Sequence, residues 1–379
     1  MAFLVKHATV YAPEYLGVKD VLVVGKQVVA VDDKLTVSLP ELETVEAKGL
    51  VLTPGLIDHH VHVIGGGGEG GPVSRTPELM LSELVTCGTT SLVGVLGTDS
   101  VTRSAQALLA KVRALTQEGV SAWMYTSNYA LPPSLLTGSI RTDLFCVPEV
   151  LGMKIAMGDH RSSYPTMDEF MRIISDIRVG GMIAGKIGFL HIHLGNLPQA
   201  FEMFDEAMDR GIPIKHIRPT HCGRATQVFE SALKFARKGG ILDITSGGSS
   251  FATPAKAVQM ALDEGINPAN IVMSTDGHGS IPRFDDKGNM VGLRTGSVSS
   301  NLREFKSLLS MGVKPEQALP IITSNVATAL GLADKGFVKT GGCADLCLFD
   351  AEFNLKHVMA KGRFLMRDEA IVVKGTFEE

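Results

Sequence analysis

The sequence predicts an α/β protein: a (β/α)8 TIM-like barrel with a small β-sandwich domain built from both chain termini. Three observations carry this. Between residues 54 and 333, short apolar runs alternate with longer segments of helical period, and eight such pairs fit in about 280 residues. The chain ends, residues 1–53 and 334–379, share a different style, β-rich runs broken by Gly, Pro and Asp. No G-x-G-x-x-G opens a helix after the first barrel strand, which argues against an open doubly wound sheet.

In chain order the barrel strands read LIDHHVHV, TSLVGVLG, SAWMYTSNY, EVLGMKIAM, FLHIHLG, IKHIRPTH, GILDITSG and NIVMSTDG. Segments such as SAQALLAKVRALTQEG and TMDEFMRIISDIRVGG separate them, with apolar residues recurring at three and four. NLREFKSLLSMG and a Pro-broken second helix follow the last strand. The terminal runs (DVLVVGKQVVAVDD at one end, VMAKGRFLMRDEAIVV at the other) are expected to pair in the small domain.

A chain of 379 residues suits one large domain plus a smaller one. A net charge of −4 leaves no electrostatic footprint for nucleic acid or an anionic membrane. MAFLVKHATVYAP lacks an apolar signal region, and no apolar run reaches ~18 residues. Five cysteines, an odd number, fit free thiols in a reducing compartment. The expected location is the cytoplasm. Cys343 and Cys347 lie four apart in GGCADLCLFD, which reads as a strand with both on one face. With no histidine or further cysteine beside them, they read as buried small hydrophobes rather than a metal or redox pair.

Barrel enzymes carry their chemistry at the C-terminal ends of strands. Those ends supply His60 and His62 (first), Tyr129 (third), Lys154 (fourth), His193 (fifth), His221 (sixth) and Asp276 (eighth). Four imidazoles, one carboxylate and one lysine thus converge on one rim. Strand parity puts His60 and His62 on one face, with His59 and Val61 on the other. An isolated H-x-H is weak evidence for metal; joined to His193, His221 and Asp276 it reads as a transition-metal site. His59 reads as structural or supporting, and His191 as a hydrogen-bonded core histidine one layer deeper. His7, His160, His216 and His357 read as structural or surface residues. Lys154 is a charge inside an apolar strand, costly if unpaired. An ion pair or a snorkelling stem are the plain readings. A lysine of depressed pKa could instead react with CO2, giving a carbamate that bridges two metals.

Together these residues resemble the amidohydrolase superfamily: PGLIDHHVH, a strand-four lysine, one histidine on each of strands five and six, STDG on strand eight, and a terminal GCADLCLFD. IDHHVHVIGGGGEGGP, GDHRS, PTHCGR, GGILDITS, STDGHGSIPRFDDKGN and VVKGTFE further resemble the isoaspartyl (β-aspartyl) dipeptidase family over nearly the full chain. The resemblance implies two zinc ions per subunit. His60, His62 and Asp276 would hold one, and His193 and His221 the other. Carbamylated Lys154 and a hydroxide would bridge them, the hydroxide attacking the side-chain amide of a β-aspartyl dipeptide. Tyr129 would donate to the oxyanion, and Asp276 would carry the proton to the leaving amine.

Such a dipeptide carries one ammonium and two carboxylates at neutral pH. Glu69 matches the ammonium, and Arg161 and Arg224 are carboxylate forks. The family also uses backbone at Gly67, Thr98 and Ser280. His278 departs from the pattern, standing where family members carry Asn, and reads as a neutral loop difference. The resemblance also implies a homo-oligomer, as large as an octamer.

Rival readings keep the metals and change the substrate: a dihydroorotase, a hydantoinase or an N-acyl amino acid deacylase. A cyclic amide would give Glu69 no α-ammonium to pair. A non-catalytic scaffold of the same fold should have lost ligands, and every expected one is present. A purine or cytosine deaminase normally lacks the bridging lysine.

Overall fold

The computed structural model describes residues 1–247, 251–284 and 290–379. All eight expected strands form: β1 (Leu56–Val61), β2 (Thr89–Gly94), β3 (Ser121–Thr126), β4 (Val150–Met157), β5 (Leu190–Leu194), β6 (Ile217–Thr220), β7 (Leu242–Thr245) and β8 (Ile271–Ser274). Strands β1 to β6 make one parallel sheet in chain order, and β7 and β8 a parallel pair. Cys222 N donates to Asp243 O (3.0 Å) and His62 N to Gly277 O (2.8 Å), joining the pair to both edges of the sheet. The strands therefore follow one another around a ring.

Parallel strands covered on both faces read as near-continuous apolar runs, and β2, β4 and β5 are buried at every position. Ile57, Val93, Tyr125, Leu151, Phe189 and Val272, from or beside six strands, form one apolar cluster inside the ring. Helix faces supply the larger core outside, for example Leu108 and Val112 of Ala105–Glu118 and Phe170 and Ile174 of Met167–Ala184. The latter helix starts at a Thr166/Glu169 capping box and stops at Gly185, φ +67°. Losing the Thr166 cap would cost about 1 kcal/mol.

One helix and one pair of strands were not anticipated. Helix Ile140–Cys146 follows a Pro/Gly/Ser-rich run, and buried Asp143 organises it by accepting from Thr137 N (2.8 Å) and Leu136 N (3.0 Å). Past β8, Ser280–Phe284 pairs antiparallel with Met290–Thr295. Residues 285–289, the DDKGN of the motif there, lie outside the described residues.

Strands from both chain ends share one nine-stranded sheet. Val51–Pro54 pairs antiparallel with Leu346–Phe349, joining the N-terminal strands to the C-terminal ones. Phe3, Val5, Val21, Leu346, Leu348 and Phe364 pack together there. Cys343 precedes its strand, which begins at Leu346, so strand parity does not pair it with Cys347. Buried Cys347 is a small core residue, whereas Cys343 Sγ takes a bond from Lys335 Nζ (3.0 Å). Among the described residues no helix is long and apolar enough to cross a membrane.

Candidate active site

The six expected metal ligands meet at the C-terminal side of the ring, all buried. Asp276 Oδ1 lies 3.1 Å from His62 Nε2 and 3.4 Å from His60 Nε2. Lys154 Nζ is 2.8 Å from His60 Nε2. The His193 and His221 rings pack edge to face with centroids 4.5 Å apart. His60, His221 and Asp276 offer ligand atoms all within 4.8 Å of one another, a grouping that crosses the ligand split implied by the family resemblance. His221 and Asp276 carry left-handed φ values of 63° and 53°. That conformation costs a non-glycine residue ~1–2 kcal/mol, and nothing in the residue types announces it.

Parity failed at one point. Asp58 pairs with Leu92 but Val61 with Gly94, so β1 carries one extra residue, a bulge. His59 and His60 therefore both reach the ring interior, with centroids 5.8 Å and 4.9 Å from that of His191. Asp58 faces outward, accepts from Thr275 N (3.2 Å) and Thr275 Oγ1, and is pushed up to about 6 by burial. His191 is a core histidine, as expected, but it also touches the site: its Nε2 is 2.9 Å from His60 Nδ1.

The donor set fits a divalent transition metal. Burial, first of all, holds His60, His193 and His221 far below the usual imidazole range, so they stay neutral with a lone pair to give. His221 Nδ1 is taken by Thr245 Oγ1 (2.6 Å), while His221 Nε2 and His62 Nδ1 are buried with no hydrogen-bond partner. Leaving such groups bare costs ~1–3 kcal/mol each. Burial opposes the charge on Asp276, yet the His62 bond and neighbouring cationic groups hold it well below the carboxylate range. Lys154 is brought down to about 7, chiefly by burial. An unpaired ammonium is disfavoured there, and a neutral amine is within reach at physiological pH.

All six expected substrate contacts, Gly67, Glu69, Thr98, Arg161, Arg224 and Ser280, line one cavity of about 1030 Å³ together with Tyr129 and the expected ligands His62, His193, His221 and Asp276. Glu69 Oε1 accepts from Arg161 Nη1 (3.1 Å), while Glu69 Oε2 and Ser280 Oγ are buried without partners. Tyr129 Oη sits 2.7 Å from His193 Nδ1, and burial raises its pKa, keeping the hydroxyl a donor. Gly67 has φ +78°, and a Cβ there would lie 2.2 Å from Ser74 O. The glycine loop is clipped in place by Thr76 Oγ1, which donates to His278 O (2.5 Å). His278 is more than a neutral difference: its ring reaches Pro77 O and Glu83 Oε1, both at 2.9 Å, anchoring the end of that loop.

Two charged residues of the cavity wall escaped the sequence reading. Asp159 stands two residues before Arg161 in the GDHRS motif and touches Arg161, Arg224 and His193. Arg294 lies on the unanticipated Met290–Thr295 strand. Asp159 could have been found as a carboxylate beside an arginine at a strand end; Arg294 left no such signal. His160 is largely exposed at the rim.

The profile of the Amidohydrolase family matches residues 51–365. The chain belongs to this family, and it is a hydrolase. Its structure is similar to that of β-aspartyl dipeptidase from the thermophilic, keratin-degrading Fervidobacterium islandicum AW-1 in complex with β-Asp-Leu dipeptide: 42% identity, 98% of each chain covered, TM-score 0.92. A second structure of that dipeptidase gives 40% identity over 98% of each chain and a TM-score of 0.90. By sequence the chain is also 25% identical over 333 residues to imidazolonepropionase from Ruegeria sp. (strain TM1040), covering 80% of this chain and 79% of that one. The likeness to the β-aspartyl dipeptidases read from the motifs is borne out.

Proposed function

We propose that the chain is a zinc-dependent dipeptidase that hydrolyses β-aspartyl (isoaspartyl) dipeptides. One observation carries the reading: a half-buried carboxylate with one oxygen unpartnered, Glu69, and two guanidinium groups, Arg161 and Arg224, share a cavity with a cluster of expected metal-ligand residues. A zwitterion with one ammonium and two carboxylates complements such a wall. The likeness to a dipeptidase solved with β-Asp-Leu supports it.

His60, His62 and Asp276 would hold one zinc, His193 and His221 the other, with Lys154 as its carbamate between them. Bound there, the two metals would supply Lewis acidity, polarising the β-amide carbonyl and acidifying a water. Glu69 orients the substrate through its ammonium, while Arg161 and Arg224 take its carboxylates. The Tyr129 hydroxyl, kept protonated by burial, donates to the carbonyl oxygen as charge develops. Asp276, ionised and facing the histidines, accepts the proton of the attacking water and delivers it to the leaving amine. The same reading takes residues 54–333 as a closed barrel and residues 1–53 with 334–379 as a small β domain, a division supported by the shared terminal sheet.

The test is steady-state hydrolysis of β-Asp-Leu, α-Asp-Leu and dihydroorotate by zinc-loaded protein. β-Asp-Leu is expected to give the highest kcat/KM by a wide margin. A faster rate on dihydroorotate would overturn the assignment in favour of a cyclic-amide hydrolase.

A further inference from the structure

Asp159 follows β4 by two residues and is 8% exposed. Its Oδ1 accepts from Arg161 Nε and Arg161 N, both at 2.9 Å, and lies 3.1 Å from His160 Nδ1. Its Oδ2 accepts from Arg161 Nη2 (2.8 Å) and Arg224 Nη1 (3.3 Å), and sits 3.1 Å from His193 Nε2. One carboxylate thus ties together two arginines and a histidine with separate tasks in the proposed reaction.

The histidine has a conflict to resolve. Arg224 Nη1 and Arg161 Nη2 stand 3.1 Å and 3.2 Å from His193 Nε2. Both are obligate donors. Alone, they would favour a lone pair on Nε2 and hence the proton on Nδ1, the nitrogen that faces Tyr129 Oη inside the cluster. A protonated Nδ1 cannot ligate. A carboxylate between the arginines and the ring reverses this: it takes the guanidinium protons itself and accepts N–H from Nε2, leaving the Nδ1 lone pair free. The partner of a ligating histidine's second nitrogen fixes its tautomer in the same way at metal sites generally.

We propose that Asp159 is a positioning residue with two linked tasks: it sets the tautomer of His193 for metal ligation and holds Arg161 and Arg224 in place for the substrate carboxylates. This rests on the dipeptidase reading for the second task alone; the first concerns metal affinity and stands or falls without it.

The experiment measures zinc affinity by competition with a chromophoric chelator, and KM for β-Asp-Leu, in the full chain. Asp159→Asn places an amide against the arginines and His193. It is expected to weaken zinc binding ~10–100-fold and to raise KM. The double variant Asp159→Asn/Arg224→Gln removes a competing donor. It is expected to recover much of the zinc affinity while KM stays high, a rescue that a merely structural aspartate would not show. Wild-type zinc affinity in Asp159→Asn, or no recovery in the double variant, overturns the proposal. Should the Asn protein not fold, Asp159→Glu keeps the charge one methylene away and is expected to weaken zinc affinity and raise KM together; a change in one without the other contradicts the link. If wild-type protein fails on β-Asp-Leu but the zinc pattern holds, the substrate reading is at fault and the tautomer assignment survives.

Discussion

Among the described residues, two histidine–aspartate groups lie inside the ring, one above the other, with nearly the same residue types. His60, His221 and Asp276 form the upper group, and His59, His191 and Asp243 the lower; either has the geometry to hold a metal. Their surroundings differ. The upper group opens on a cavity of about 1030 Å³; the lower borders one of about 20 Å³, room for about one water. In the upper group the imidazoles are neutral, and His221 Nε2 is buried with no hydrogen-bond partner. In the lower, burial works against a charge on His59, but Asp243 outweighs it and raises the pKa, so His59 leans toward imidazolium. His191 spends its Nε2 on His60, and Ser274 Oγ donates to Asp243 at 2.9 Å. Arg218 lines the lower cavity and adds a repelling charge. Ligand types at ligand distances do not make a metal site; neutral imidazoles and an open cavity beside them do. The upper group is the proposed metal centre, and the lower one touches it through the His191–His60 contact.

The most severe way to break this contrast is Lys154→Ala. Loss of most bound zinc and nearly all activity is expected, with partial rescue by short carboxylic acids standing in for the carbamate; metal analysis and rates check both. Glu69→Gln should keep two zinc ions yet lower kcat/KM on β-Asp-Leu by ~10–100-fold, the worth of a lost charge-assisted bond. Full activity in that variant would place the ammonium elsewhere. Asp243→Asn acts on the lower group alone: metal content unchanged, thermal stability lower by ~1–3 kcal/mol. A drop in zinc stoichiometry there would erase the distinction between the groups.

The contrast also has a pH signature. Lys154 titrates at about 7, below its ordinary 10.5, so its amine is neutral above that pH and protonated below it. Since only the neutral amine can take up CO2, zinc loading of metal-free protein in bicarbonate should rise as pH increases through about 7. Loading that rises only near pH 10 would mean an ordinary, solvated lysine. His278→Asn is the smallest change: a shorter side chain reaches one of Pro77 and Glu83, costing about 1 kcal/mol of stability with zinc retained.

Much of the upper group was legible in the sequence because ligands at the ends of barrel strands must appear at regular intervals after apolar runs. His60, His62, Lys154, His193, His221 and Asp276 were all singled out that way, and the fold brings them together. The lower group was not, because the bulge in β1 breaks the alternation that had turned His59 outward. Backbone irregularity hid the left-handed turns at His221 and Asp276 as well; the residues just past them bond to other strands, Cys222 N donating to Asp243 O and Gly277 O accepting from His62 N. Asp159 was overlooked for another reason: its contacts with His193 and Arg224 exist only once the fold brings those residues to it. The fold class and all eight strands were readable from periodicity, whereas the Ser280–Thr295 hairpin, lacking a long apolar run, was not.

The most direct test is anomalous X-ray scattering at the zinc edge from crystals of zinc-loaded protein. The account expects two peaks, both among His60, His62, Lys154, His193, His221 and Asp276, and none among His59, His191 and Asp243. A peak in the lower group, or none in the upper, would contradict it.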